Sequence, residues 1–266
     1  MTVRALLLVA AFALNACAVP RAQPVPQIRV LTYNIHAGKD QQQSDNLPRI
    51  AAVIDSADAD IVLLQEVDRR TRRANGADHF VELQRLTRMH GVFGKSLDFQ
   101  GGEYGIAILS RWPLDSIMAL PLKVDAAPAN YEQRLALHVR VATPAGPLDV
   151  LNTHLDAGGP GTYRRQELIA VLAHMKQKTS LAPLVLGGDL NARPQTDDIQ
   201  AVSFAMTDAY AACGTGAGET FPAHAPDRRI DYIFLQRARC VSARVLATQA
   251  SDHRPLLAII DISGDK

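Results

Sequence analysis

Six short segments of this 266-residue chain place side chains that can hold a cation, move a proton or bind an anion at the ends of apolar runs. "LTYNIH" presents Asn34 and His36, and "VLLQEVD" presents Glu66. "VLNTHLD" carries Asn152, His154 and Asp156, and "LGGDLN" carries Asp189 and Asn191. Asp231 opens "DYIF", and Asp252 and His253 stand in "SDHRP". Taken singly, each acid or amide reads as a solvated turn residue or a helix cap. A lone histidine such as His90 or His138 reads as a satisfied surface or core group. The set as a whole is chemically consistent. Carboxylate and amide oxygens without cysteine suit a hard cation, Mg²⁺ or Mn²⁺ rather than zinc. Two histidines, each with a possible carboxylate partner, can orient a water, stabilise anionic oxygens or protonate a leaving group. Hard metal, oriented water and cationic donors together are equipment for attack on phosphorus. The chain has no Walker loop, no G-x-S-x-G elbow and no H-E-x-x-H pair.

Such residues act only if the chain brings them together. The spacing predicts buried strands at "IRVLTYNIH", "DIVLLQEVD", "YGIAILSR", "QRLALHVRVAT", "LDVLNTHLD" and "PLVLGGDLN", each dense in β-branched or aromatic residues. "RIDYIFLQ", "CVSARVLATQ" and "PLLAIIDI" add strands at the C-terminal end. Leu47, Ile50, Val53 and Ile54 recur at helical spacing after Pro48. "HFVELQRLTRMHG" reads as a helix closed by Gly91, and "YRRQELIAVLAHMKQK" as an amphipathic helix. Strands bunch in the middle and at the end, which a simple alternating parallel sheet would not do. Residues two apart on a strand share a face, so Asp189 and Asn191 are expected to aim together, as are Asn152, His154 and Asp156.

The first twenty residues differ from the rest. A basic Arg4 precedes an apolar run from Ala5 to Leu14. That run is too short to span a bilayer and suits a secretory signal. "LNAC" at Leu14–Cys17 resembles a bacterial lipobox, whose cysteine becomes a lipidated N-terminus; cleavage after "ACA" is the rival. The expectation is a signal over residues 1–18, a short linker over 19–27 and one catalytic domain over 28–266. Export to a bacterial periplasm, with a membrane anchor if Cys17 is acylated, and a monomeric state go with it. Loss of Arg4 leaves 27 basic against 27 acidic residues, without the basic excess usual for a protein that grips a polyanion. Cys213 and Cys240 are free to pair or to remain buried thiols.

In this order, "TYNIH", "LLQEVD", "GDLNARP", "RIDYIF" and "SDHRP" resemble the motifs of the endonuclease/exonuclease/phosphatase superfamily. The resemblance runs from about Ile28 to Ile262. It implies an α/β four-layer sandwich, two mixed β-sheets packed face to face with helices outside. It also implies metal-dependent cleavage of a phosphoester, with Mg²⁺ or Mn²⁺ as cofactor. By the roles it carries, Glu66, Asn34 and Asp252 would hold the metal, and Asp189 would hold or deprotonate the attacking water beside Asn191. Asp231 would orient His253, which in its cationic form would bind the phosphoryl oxygen, and His154 would stand on the opposite side of the phosphate. Arg134 and Tyr104 are candidates for substrate contact. The expected activity is that of an exported phosphodiesterase acting on a lipid headgroup or small phosphodiester. A secreted nuclease, and an inactive lipoprotein that binds phospholipid or a protein partner, are the alternatives.

Overall fold

The computed structural model describes residues 26–177 and 181–263. The expected export signal at residues 1–18 lies outside the described residues, as does the linker as far as residue 25. In chain order the elements are β1 (Ile28–Asn34), α1 (Leu47–Ser56), β2 (Ile61–Arg69), α2 (His79–Thr87), β3 (His90–Phe99) and β4 (Gly102–Ser110). They continue with β5 (Leu114–Leu122), β6 (Arg134–Thr143), β7 (Gly146–His154), α3 (Thr162–Gln177) and β8 (Leu184–Asp189). Last come α4 (Asp197–Ala205), β9 (Thr207–Asp208), α5 (Ala209–Cys213), β10 (Asp231–Gln236), β11 (Arg239–Val245) and β12 (Leu256–Asp261).

The strands form two six-stranded sheets, ordered β11-β12-β1-β2-β4-β3 and β5-β6-β7-β8-β10-β9. Each sheet contains a parallel pair, β1–β2 in the first and β7–β8 in the second. Parallel neighbours need a crossover, and α1 and α3 supply it. These strands are buried on both faces, which is why they read as continuous apolar runs rather than alternating ones. Between the sheets, Val30, Leu63 and Ile108 meet Leu137, Val150 and Ile233. Ile50 and Ile54 of α1 and Leu83 of α2 cover the outside of the first sheet. Leu168 and Val171 of α3, with Ile199 and Val202 of α4, cover the second. The expected four layers are present.

Some details differ from expectation. Arg88, in a left-handed conformation, closes α2, and Gly91 belongs to β3. A Cβ there would lie 2.8 Å from Leu109 Cδ2, so that glycine serves packing rather than capping. The edge strands β3 and β5 are not among the expected ones: glycines and Lys95 interrupt β3, and β5, largely exposed, has Pro121 within its apolar stretch. Cys213 and Cys240 form a disulfide, Cα–Cα 6.0 Å, between α5 and β11. Among the described residues no helix is long and apolar enough to cross a membrane.

Candidate active site

Because β1 runs parallel to β2 and β7 parallel to β8, the ends that carry polar residues share an edge of their sheets. In the second sheet the register is direct: His154 stands opposite Asp189, and Asp189 opposite Asp231. In the first, Asn34 pairs with Gln65, one residue before Glu66. Glu66 lies at a bulge between Leu64 and Val67 with φ 57°. A non-glycine residue held there costs on the order of 1–3 kcal/mol, and bulges of this kind re-aim a side chain. The "GG" before Asp189 is required by a close approach. Gly188 has φ 137°, and a Cβ on it would lie 1.9 Å from Thr153 O on the neighbouring strand.

The side chains meet in a cleft of about 820 Å³ lined by Glu66, Tyr104, Arg134, His154, Asp189, Asn191, Asp252 and His253, among others. Asn34 and Asp231 lie beneath it, fully buried. The Asn34 amide donates to Glu66 Oε1 at 3.0 Å and to Asp189 Oδ2 at 3.1 Å, and its Oδ1 accepts from His36 N at 3.0 Å. His253 Nδ1 donates to Asp231 Oδ2 at 2.9 Å. His154 Nε2 and His253 Nε2 stand 3.6 and 3.7 Å from the same atom, Asp189 Oδ2. Arg134 Nη1 donates to His154 Nδ1 at 3.0 Å. Asn191 sits beyond β8 at φ 49°; its backbone N–H donates to Asp189 Oδ1 at 2.9 Å and its amide to Leu155 O at 2.9 Å. Asn191 reaches Asp189 through this turn and not, as expected, by strand alternation, because β8 ends at Asp189.

Burial sets the charges. Burial alone would depress His253, but the Asp231 and Asp189 carboxylates outweigh it and raise the imidazole to about 10. For Asp189, burial and then the Asp231 charge raise the carboxyl to about 7, although His253 and the amides of Asn34 and Asn191 pull the other way. His154 is held well below the usual imidazole range by burial, then by the Arg134 and His253 charges. It is neutral. Arginine has no acceptor, so His154 Nδ1 must carry the lone pair and Nε2 the proton. Each histidine has the expected carboxylate near it, Asp231 on Nδ1 of His253 and Asp189 at 3.6 Å from Nε2 of His154, but the Nδ1 partner of His154 is the Arg134 cation.

The donor set fits a divalent cation. Four carboxylates, Glu66, Asp189, Asp231 and Asp252, surround the site without a thiolate among them. Asp231 Oδ1 is buried and has no hydrogen-bond partner. Ligand atoms of Asp189, Asp231 and His253 lie within 4.8 Å of one another, but a cationic His253 has no lone pair to give, so the available donors are the carboxylate oxygens. Two buried carboxylates, Asp189 and Asp231, with two half-buried ones, Glu66 and Asp252, supply the hard, negatively charged oxygens that Mg²⁺ or Mn²⁺ neutralises.

The ten residues to which the resemblance gives a role lie in the cleft or directly beneath it. Several neighbouring residues do not take part. Asn152 ties the sheets together, donating to Leu64 O and Ala107 O at 2.9 Å and accepting from Gln65 Nε2 at 2.7 Å. Asp156 lies past the end of β7 and accepts from Gly158 N. Sequence reasoning missed the walls. Arg73 is paired with Asp68 at 2.6 Å and stacked over Phe99 and Tyr104. Phe221 packs 4.7 Å from the His253 ring. Fully buried Glu167 accepts from Tyr131 Oη and from Asp156 N, which ties together two loops of the rim. No motif marks these positions; a lone arginine, aromatic or acid, even Glu167 inside α3, carries no signal until its neighbours are known.

A sequence profile for the Endonuclease/Exonuclease/phosphatase family matches residues 31–253. The protein YbhP of Escherichia coli K12 is 26% identical over 250 residues, covering 88% of this chain and 96% of its own. A crystal structure of an endonuclease/exonuclease/phosphatase from Beutenbergia cavernae superposes with TM-score 0.77 at 26% identity, over 90% of this chain and 72% of that one. A mannosyl-6-phosphatase of Bacteroides thetaiotaomicron shares the fold at TM-score 0.73 and 17% identity, over 88% and 99% of the two chains. With its profile match spanning every polar strand end that lines the cleft, the chain belongs to the Endonuclease/Exonuclease/phosphatase family.

Proposed function

We propose that this protein is a divalent-metal phosphodiesterase that cleaves a small phosphodiester or lipid headgroup by in-line attack of water. The observation that carries this reading is the pair of histidines converging on Asp189 Oδ2 at 3.6 and 3.7 Å, one cationic and one neutral. Glu66, with Asn34 and Asp252, would hold the cation, which supplies Lewis-acid stabilisation of a phosphoryl oxygen when bound. Asp189, ionised, takes a proton from the attacking water. Asn191, whose amide N–H is engaged by Leu155 O, offers its carbonyl oxygen to the same water. His154 donates from Nε2 to a phosphoryl oxygen. As the P–O bond to the leaving alcohol breaks, the departing oxygen receives a proton from cationic His253, and Asp231 holds that ring in place.

Charge placement favours a small substrate over nucleic acid. Each of the four arginines lining the cleft faces a carboxylate: Arg73 faces Asp68 at 2.6 Å, Arg134 faces Glu132 at 2.8 Å, and Arg193 and Arg228 face Asp227 at 3.8 and 3.4 Å. A nuclease cleft would present an uncompensated basic stripe. The reading extends to the N-terminus, where the apolar run and "LNAC" support export and lipidation at Cys17. A panel of bis-p-nitrophenyl phosphate, headgroup diesters, phosphomonoesters and DNA, each with Mg²⁺ or Mn²⁺, tests the activity. Preference for DNA with a steep fall in rate on adding salt would replace this reading with the nuclease one. Unchanged hydrolysis in Asp189→Ala and His253→Ala would remove the mechanism. For the anchor, Cys17→Ser should release the protein from the membrane fraction, and unaltered fractionation would defeat it.

A further inference from the structure

Arg134 is the first residue of β6, buried to 6% exposure although it is an arginine. Its Nη1 lies 2.8 Å from Glu132 and 3.0 Å from His154 Nδ1, and its Nε is buried without a partner. Burying a guanidinium in this way is unfavourable unless its contacts are specific. A residue that only gripped substrate would gain by reaching into the cleft. Arg134 lines the cleft, yet its Nη1 is held between Glu132 and the back of an imidazole.

The chemistry of that contact is decisive. A carboxylate behind His154 would take the Nδ1 proton as a hydrogen bond and favour the cation, as Asp231 does for His253. Asp189 would then lie between two imidazoliums. A guanidinium can only donate, so it forces a bare Nδ1 and a protonated Nε2. The Nε2–H group faces Asp189 and the cleft.

We propose that Arg134 is a positioning residue that acts through His154, fixing its ring as the neutral Nε2–H donor and thereby making the two active-site imidazoles unequal. The inference rests on the hydrolase reading above for its kinetic consequences, and on geometry alone for the tautomer. Arg134, expected from the sequence to touch substrate, is reassigned by it.

Long-range ¹H–¹⁵N spectra of histidine-labelled wild-type protein, with His154 identified by the signal missing from His154→Ala, should find Nε2 protonated and Nδ1 bare at neutral pH. A protonated Nδ1 overturns the proposal. With bis-p-nitrophenyl phosphate and Mg²⁺ or Mn²⁺, Arg134→Met should lower kcat about 10- to 100-fold, the scale of a mispositioned group, and leave KM within about twofold. Arg134→Lys, which keeps one donor, should recover part of the loss. In a His154→Ala background, Arg134→Met should cost less than about twofold, because the group it served is gone. An undiminished cost in that background makes Arg134 a direct substrate ligand and overturns the proposal. Should Arg134→Met fail to fold, the wild-type spectrum and Arg134→Lys still decide. Should the wild type hydrolyse no phosphoester, the hydrolase reading fails, and the spectrum alone judges what Arg134 does to His154.

Discussion

The corners around His154 and His253 are built to the same measure and charged in opposite senses. Both rings are 5% exposed and stand within 0.1 Å of the same distance from Asp189 Oδ2. One is backed by Arg134 and is neutral; the other is backed by Asp231 and is cationic. Burial pushes both toward neutrality, so the partner on Nδ1 decides. Two imidazoles read identically in a sequence can therefore divide the labour of a reaction, one as a fixed donor and one as a proton source.

The comparison can be broken at several points. Exhaustive chelation should have the largest effect, taking phosphodiester hydrolysis below detection until Mg²⁺ or Mn²⁺ is restored; activity that survives it would mean the histidines work without a cation. His253→Ala should follow, at about 10² to 10⁴ in kcat for loss of a general acid. His154→Ala should cost about 10²-fold, the scale of one removed donor. Equal losses accompanied by the same change in pH profile would erase the division of labour.

The pH profile sharpens the point. His253 is raised to about 10, so its cationic form persists through neutral pH and is lost as pH rises through that value. The alkaline limb of the rate should lie correspondingly high. Asp231→Asn removes the anion that raises it and should draw the limb down toward the ordinary imidazole range. Measuring kcat/KM against pH for both proteins checks this.

A smaller effect concerns stability. Asp189 is raised to about 7 in the fold, so the metal-free protein loses stability as pH climbs from the ordinary carboxylate range, where the unfolded chain ionises, to about 7, and the loss is complete above that. Asp189→Asn should raise the Tm of metal-free protein at pH 8 while abolishing activity, and should gain little at pH 4. For a chain of this size about 1 kcal/mol corresponds to roughly 2–4 °C. A lower Tm at pH 8 would mean that Asp189 is better compensated than its neighbours indicate.

Much of this was legible in the sequence, and the reason is topological. Asn34, His154 and Asp189 end strands, and Asp231 begins one. A polar residue closing an apolar run is visible in one dimension. The sandwich was equally visible, because doubly buried strands and amphipathic helices leave distinct patterns. What stayed hidden was pairing across strands. Arg134 and His154 are 20 residues apart, and nothing in "YEQRLALHV" says which ring the guanidinium will meet. The edge strands β3 and β5 escaped as well, β3 because glycines and Lys95 break its pattern and β5 because Pro121 interrupts an otherwise apolar stretch. Glu66 shows a third limit: its residue type was readable, but the bulge that aims it depends on register against β4.

The Cys213–Cys240 bond joins α5, which follows the edge strand β9 of one sheet, to β11, the edge of the other. It closes a loop across 27 positions, which in a chain-entropy account restricts the unfolded ensemble by about 3–4 kcal/mol. Material made in a reducing host would lack this clamp and emerge easier to melt, even with every catalytic group intact. How the polypeptide is produced thus becomes part of how its chemistry is assayed, and oxidised and reduced preparations belong side by side.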